Sequence, residues 1–241
     1  MIFDKKFFFE KIFSSFLRNT IPNIDLHIHT NYTDGKNTVK EMIIESKNKK
    51  IEFLLFSEHS RKNLSESWFL DFSKEVRSFN EKEFNYLVGT EVKVLNAYGE
   101  LDLSAKIKNE CHLVMGSVHR FPGELGDGIM KRNANVDSDQ ALRIEYDLTL
   151  SAIENPDLDI VGHPLGMTIK RFKKYPPISY FEEIIKKCKK FNKIFEINSY
   201  YHNNLNELLN LCIKNEVLIS LGSNAHSTDQ LGEITKKLIK S

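Results

Sequence analysis

The stretch DLHIHTNYTDG, residues 25–35, decides how this chain is read. It begins inside a short apolar run, Ile24–His29, in which His27 and His29 stand two positions apart. On an extended strand both imidazoles then project from one face and can grip a single ion. The run breaks at Asp34-Gly35, a pair that commonly shapes a turn, although Asp34 is also a candidate ligand beside the two histidines. Alone, an HxH pair is a weak signal. Its weight comes from what recurs further along the chain.

Working outward, short apolar and β-branched runs alternate with longer amphipathic segments, the pattern of βα units around a parallel sheet. Seven strands are expected at Ile24–His29, Glu52–His59, Tyr86–Leu95, Leu113–His119, Asp159–His163, Lys193–Ser199 and Leu218–Ser223. Helices are expected at Thr38–Lys49, Glu66–Phe79, Asp137–Ile153, Ser179–Phe191, Leu205–Asn215 and Gln230–Ile239. The third unit instead runs through the YGELDL turn into a short segment near Ser104–Lys108. Ser, Asp or Asn stands near several helix starts, as N-capping requires. The longest loop, Arg120–Val136, carries Gly123, Gly126 and Gly128, and a loop of that length on a compact domain is more often functional than idle.

Residues 1–20 place Phe9, Phe13, Phe16 and Leu17 at helical spacing and form an N-terminal amphipathic helix that caps the floor of the main domain, residues 21–241. Phe7, Phe8 and Phe9 together exceed what one narrow stripe needs, which keeps a membrane-surface or partner-docking role as a secondary reading. With 241 residues and 41% hydrophobic content, the chain can bury one sizeable core. The 34 Lys and Arg against 33 Asp and Glu give no global basic field for nucleic acid or an anionic membrane. Cys111, Cys188 and Cys212 form no CxxC pair and fit a reducing cytoplasm. No apolar run is long enough to span a bilayer, and Asp4 and Glu10 do not suit a signal peptide.

The histidines carry the functional argument. His59 ends the second expected strand, His119 the fourth and His163 the fifth, while His226 follows the last. In a βα barrel all strand ends of one sense converge on one face, so residues far apart in sequence meet in one pocket. For any single histidine a structural hydrogen bond is the better explanation, but six at strand ends are not a coincidence. Glu91 on an otherwise apolar strand demands a cation or partner, and Asn224 stands two before His226. Glu58 points opposite to His59 and reads as a supporting acid; Glu196 and Asn198 share one strand face, where either can orient a ligand or touch substrate. His112 and His202 are assigned to structure or solvent. Imidazole plus carboxylate suits zinc, manganese or iron.

Six motifs, DLHIHTNYTDG, FSEHS, GTEVKV, GSVHR, GHP and GSNAHS, in this order resemble those of the polymerase and histidinol phosphatase (PHP) superfamily, from Asp25 nearly to the end of the chain. The resemblance implies an α/β fold, a single-domain distorted (βα)7 TIM-like barrel, holding two to three divalent ions. By the same resemblance His27, His29, Glu91 and Asn224 hold the first ion, Glu91 bridges to a second on His119 and His163, and Asp34, His59 and His226 hold the third. Asn224 departs from the pattern, which commonly has Asp there; a neutral amide leaves the cluster one charge more positive.

The expected chemistry is phosphoester hydrolysis by metal-activated hydroxide, with Glu91, His119 and His226 at its centre. No P-loop or GxSxG pattern supports nucleotide-triphosphate or serine-hydrolase chemistry. Arg61, Arg120, the Lys131–Arg132 pair and Lys170–Arg171 all follow expected top-face residues, and Arg120 and Arg171 are the preferred contacts to substrate phosphate. The even charge balance favours a small phosphorylated metabolite over a long nucleic acid. A nuclease or phosphodiesterase is the alternative, since related domains proofread in bacterial DNA polymerases; a non-catalytic metal-binding scaffold is the third reading.

Overall fold

The computed structural model describes residues 3–63, 65–80, 85–121 and 136–240. Seven strands, β1 (Ile24–Ile28), β2 (Phe53–His59), β3 (Tyr86–Lys93), β4 (Leu113–Ser117), β5 (Ile160–Val161), β6 (Ile194–Asn198) and β7 (Ile219–Gly222), lie in sequence order in one sheet. Every neighbouring pair is parallel. The sheet curls until Ile28 pairs with Ala225, where the Ala225 N–H donates to His27 O and the His29 N–H to Ala225 O. A nearly closed, distorted (βα)7 barrel results, and the seam lies beside the first histidine pair. Asp25 stitches it further: its buried carboxylate accepts the N–H groups of Ser223 and Gly232, while burial pushes its pKa up to about 6.

Helices α1 (Lys5–Leu17), α2 (Val39–Asn48), α3 (Ser67–Ser78), α4 (Ala105–Glu110), α5 (Ser138–Ile153), α6 (Gly166–Phe172), α7 (Ile178–Phe191), α8 (Leu205–Lys214) and α9 (Glu233–Lys240) accompany the strands. Local chemistry starts several of them. Thr38 and Glu41 form a reciprocal capping box at α2, Asp137 and Gln140 do so at α5, and Ser104 caps α4. At the barrel floor α1 buries Phe8, Phe9, Ile12 and Phe16. Phe8 meets Phe53 at the start of β2 edge-on, with ring centroids 5.1 Å apart, and Lys5 pairs with Asp159 just before β5. Phe7 and Leu17 remain on the solvent side.

Element ends differ from expectation in instructive ways. The fourth strand stops at Ser117, whose partner Lys93 ends β3, so His119 stands in the loop beyond rather than on the strand. β5 keeps only two residues, leaving His163 past its end. The last expected helix divides into a short 3-10 turn, Thr228–Gln230, and α9. Helix α6 is an addition, since the segment after GHP carries no helix signal beyond its length. Lys131, Arg132, Gly123, Gly126 and Gly128 of the long loop lie outside the described residues.

Candidate metal centre and its cavity

Glu91 is the hub. It is buried on β3, and its Oε1 stands 3.0 Å from His119 Nε2 and 2.9 Å from His163 Nε2. Its Oε2 stands 3.4 Å from His27 Nε2, 3.6 Å from His29 Nε2 and 3.3 Å from His59 Nδ1. Burial opposes its charge, but His119 and His27 outweigh it and hold the carboxyl well below the ordinary range. His27 Nε2 and His29 Nε2 are 3.1 Å apart, and Asn224 Oδ1 lies 3.2 Å from His29 Nε2. Asp34 completes the outer side, 3.5 Å from His59 Nε2 and 3.3 Å from His226 Nε2. Burial would raise its pKa; hydrogen bonding to His226 and His59 instead drives it far down.

The orientations of the rings show what this donor set fits. His226 Nδ1 lies 2.9 Å from the Asn224 carbonyl, which can only accept, so Nδ1 carries the hydrogen. Nε2 is the nitrogen left facing the Asp34 carboxylate, 3.3 Å away. His27 is oriented in the same way: its Nδ1 donates to Glu196 Oε1 at 2.7 Å and its Nε2 faces Glu91 and His29. Burial opposes a charge on this ring, but Glu196 and Glu91 outweigh it and raise its pKa well above the ordinary imidazole value. His29 Nδ1 is buried with no hydrogen-bond partner, 3.9 Å from Asp34, and its ring is stacked between those of His59 and His226 at 4.5 Å each. Imidazole nitrogens gathered around two carboxylates, with His29 Nδ1 buried and unpartnered among them, are the donor types that divalent ions take, so the residues fit such ions. His29, Asp34, His59 and His226 form one group with metal-binding spacing, His27, His29 and Glu91 another, and His59, Glu91 and His119 a third.

Supporting residues aim these side chains. Glu58, buried and facing away from the cluster, accepts the Thr30 N–H and the hydroxyls of Thr30 and Thr33, pinning the loop that presents Asp34. Glu196 accepts from His27, from the His163 N–H at 2.5 Å and from Asn198 Nδ2 at 2.8 Å, so one carboxylate orients two candidate ligands. Gly222 makes room for it, because a Cβ there would stand 2.2 Å from Glu196 Oε1. His163 and Asn224 both adopt positive φ, of 27° and 53°, and Asn is among the residues that tolerate that region. His202 accepts from the Asn198 N–H and donates to Pro164 O, and His112 accepts from the Val88 N–H, so both are structural.

Above the cluster opens a cavity of about 860 Å³. Tyr32, Trp68, Met167, Tyr200 and Tyr201 line it, together with the cationic side chains of Arg61, Lys93 and Arg120. The two arginines expected to hold phosphate separate here. Arg120 lines the cavity, whereas Arg171 does not; its guanidinium lies over the rings of Phe121 and Phe172, at 5.3 and 5.7 Å, because α6 turns that side chain onto the aromatic shelf. Sequence reasoning missed Trp68 and Tyr201 altogether. Neither carries a motif, and each reaches the site through packing.

The fold and cluster define a barrel with a histidine-rich centre suited to metal ions at the C-terminal ends of its strands. The sequence profile of the PHP domain matches residues 25–201, and the chain belongs to that family. It is 28% identical over 230 residues to a "probable phosphatase" of Caldicellulosiruptor saccharolyticus, spanning 90% of this chain and 86% of that one. A histidinol phosphate phosphatase from Lactococcus lactis, solved with zinc, L-histidinol and phosphate, superposes with a TM-score of 0.65 at 18% identity over 90% of this chain and 92% of that one. A candidate histidinol phosphatase from Listeria monocytogenes gives 0.71 at 17% identity over 88% and 98%. These two likenesses concern the fold. Family membership and the phosphatase name of the relative together support a phosphoester hydrolase. Among the described residues no helix is long and apolar enough to cross a membrane.

Proposed function

We propose that the chain hydrolyses a small phosphomonoester at this cluster. The observation that carries the reading is the set of imidazole nitrogens of His27 and His226 turned toward the carboxylates of Glu91 and Asp34 at the base of an open cavity. His27, His29, Glu91 and Asn224 would hold one divalent ion, Glu91 with His119 and His163 a second, and Asp34, His59 and His226 a third; zinc, manganese and iron all suit these donors. Bound there, such ions supply the Lewis acidity that draws water toward hydroxide near neutral pH and neutralises phosphoryl oxygens.

The chain's own groups do the remaining work. Glu196 fixes the His27 tautomer and the His163 backbone, and Glu58 holds the Asp34 loop. Arg120 contributes a positive charge for a phosphoryl oxygen at the cavity edge, while Tyr32 and Trp68 give the leaving group an apolar wall that excludes water. The reading places the protein in the cytoplasm, where its three free thiols at Cys111, Cys188 and Cys212 stay reduced.

The test is turnover. Protein reconstituted with zinc, manganese or iron should carry about 2–3 ions per chain and cleave p-nitrophenyl phosphate but not the bis ester, and His119→Ala should abolish the reaction. No turnover with any of the three metals overturns the proposal, and cleavage confined to the diester or to single-stranded DNA replaces it with a phosphodiesterase.

A further inference from the structure

Tyr201 follows β6 in a turn that is fixed on both sides. The Tyr200 N–H donates to Asn198 Oδ1 at 2.9 Å, and Lys170 Nζ donates to Tyr200 O at 3.1 Å while lying 3.5 Å over the Tyr200 ring. The Tyr201 ring is thereby laid on the imidazole of His163, with centroids 4.0 Å apart and planes 26° apart, and forms part of the cavity wall with His119 and Glu91. The approach depends on a glycine. A Cβ at Gly166 would stand 2.8 Å from Tyr201 Cβ and 2.9 Å from its Cγ, so any other residue would push the ring off its seat.

The hydroxyl is the unexplained part. A phenylalanine would stack on His163 and fill the wall equally well. The residue is only 8% exposed, yet among the described residues no hydrogen bond engages its hydroxyl, and that oxygen is not one of the buried polar atoms left unpartnered. The side chain lines the same cavity as Glu91 and His119. A phenol keeps its proton through neutral pH, so it presents a donor that no other described residue engages.

We propose that Tyr201 is a further catalytic residue, whose hydroxyl donates a hydrogen bond to a non-bridging oxygen of the substrate phosphoryl group. The inference rests on the phosphomonoester reading above. A donor placed where negative charge grows stabilises the transition state more than the ground state.

Tyr201→Phe tests this while preserving the ring on His163. Metal-loaded wild type and variant are compared in metal content, in kcat and KM on p-nitrophenyl phosphate, and in affinity for inorganic phosphate by calorimetry. The expected result is unchanged metal content, kcat/KM lower by about 10–100-fold and weaker phosphate binding. Unchanged turnover and phosphate affinity overturn the proposal. Loss of metal alongside activity overturns it too, because the residue would then act only by seating His163. If the wild type cleaves no monoester, the phosphomonoesterase reading falls, and the phosphate titration decides Tyr201 alone: equal affinities overturn its role and a weaker variant supports it.

Discussion

Replacing Glu196 with glutamine should weaken metal binding without changing any group proposed to touch an ion. Both oxygens of this buried carboxylate are engaged by donors: Oε1 accepts from His27 Nδ1 at 2.7 Å and Asn198 Nδ2 at 2.8 Å, and Oε2 accepts from the His163 N–H at 2.5 Å. Glutamine has the same shape but brings an NH2 group, which must face one of these donors whichever way the amide is turned. At least one hydrogen bond to a charged acceptor is lost, a cost of about 1.5–3 kcal/mol. If the amide turns toward His27, the ring loses the acceptor that holds its Nδ1 proton and its orientation; turned toward His163, it loosens a backbone held at φ 27°. Either way the loss falls on the metal-bound state, and about 10–100-fold in affinity is expected. Competition for zinc against a chromophoric chelator measures it, with urea denaturation of the chelated protein as the control for folding. Unchanged zinc affinity, or a defect confined to the chelated protein's stability, would refute the reasoning.

Other consequences can be checked alongside. Asn224→Asp should tighten metal binding on the order of tenfold, since it adds a charge 3.2 Å from His29 Nε2 on a backbone that Asp also tolerates; equal affinity would remove that side chain from the ligand set. Phe9→Ala, at a fully buried position under the barrel, should cost about 3–5 kcal/mol in urea denaturation with metal affinity retained. Stripping the ions should lower the melting temperature, and restoring zinc at a thousandfold excess over its dissociation constant should recover about 4 kcal/mol; a chelator without effect would speak against ions binding the folded chain. Glu145 gives a pH prediction. Its buried carboxylate accepts the N–H groups of Met167 and Thr168, and burial pushes its pKa up to about 7. The folded state then binds its proton more tightly than the unfolded chain, so this group's contribution to stability is full below the unfolded pKa of about 4.3 and is lost as pH rises toward 7. Glu145→Gln should flatten that part of the stability–pH curve of the chelated protein, and parallel curves would exclude the assignment.

The fold was legible because it is written in local periodicity. β2 is buried along almost its whole length and α7 carries one apolar face, and such patterns are set within a dozen residues. Thr38 with Glu41 and Asp137 with Gln140 marked helix starts by chemistry confined to one turn. The ligand candidates were legible as residue types, since a carboxylate such as Glu91 on an apolar strand has few explanations. What local pattern could not convey was direction. Arg120 and Arg171 look alike beside their motifs, but one reaches the cavity and the other lies on Phe121 and Phe172.

By itself, then, the sequence determined seven βα units in order and the kinds of donor available at their ends, because strand and helix periods and turn chemistry act over a few residues. The tertiary structure decided the rest. It closed the barrel where Ile28 meets Ala225, set Glu91 between two groups of imidazoles, turned His27 by a carboxylate 169 positions away, and laid Tyr201 on His163 through the gap left by Gly166. Those distances depend on strand register, helix packing and the absence of a single Cβ, which no neighbouring residue in the chain encodes.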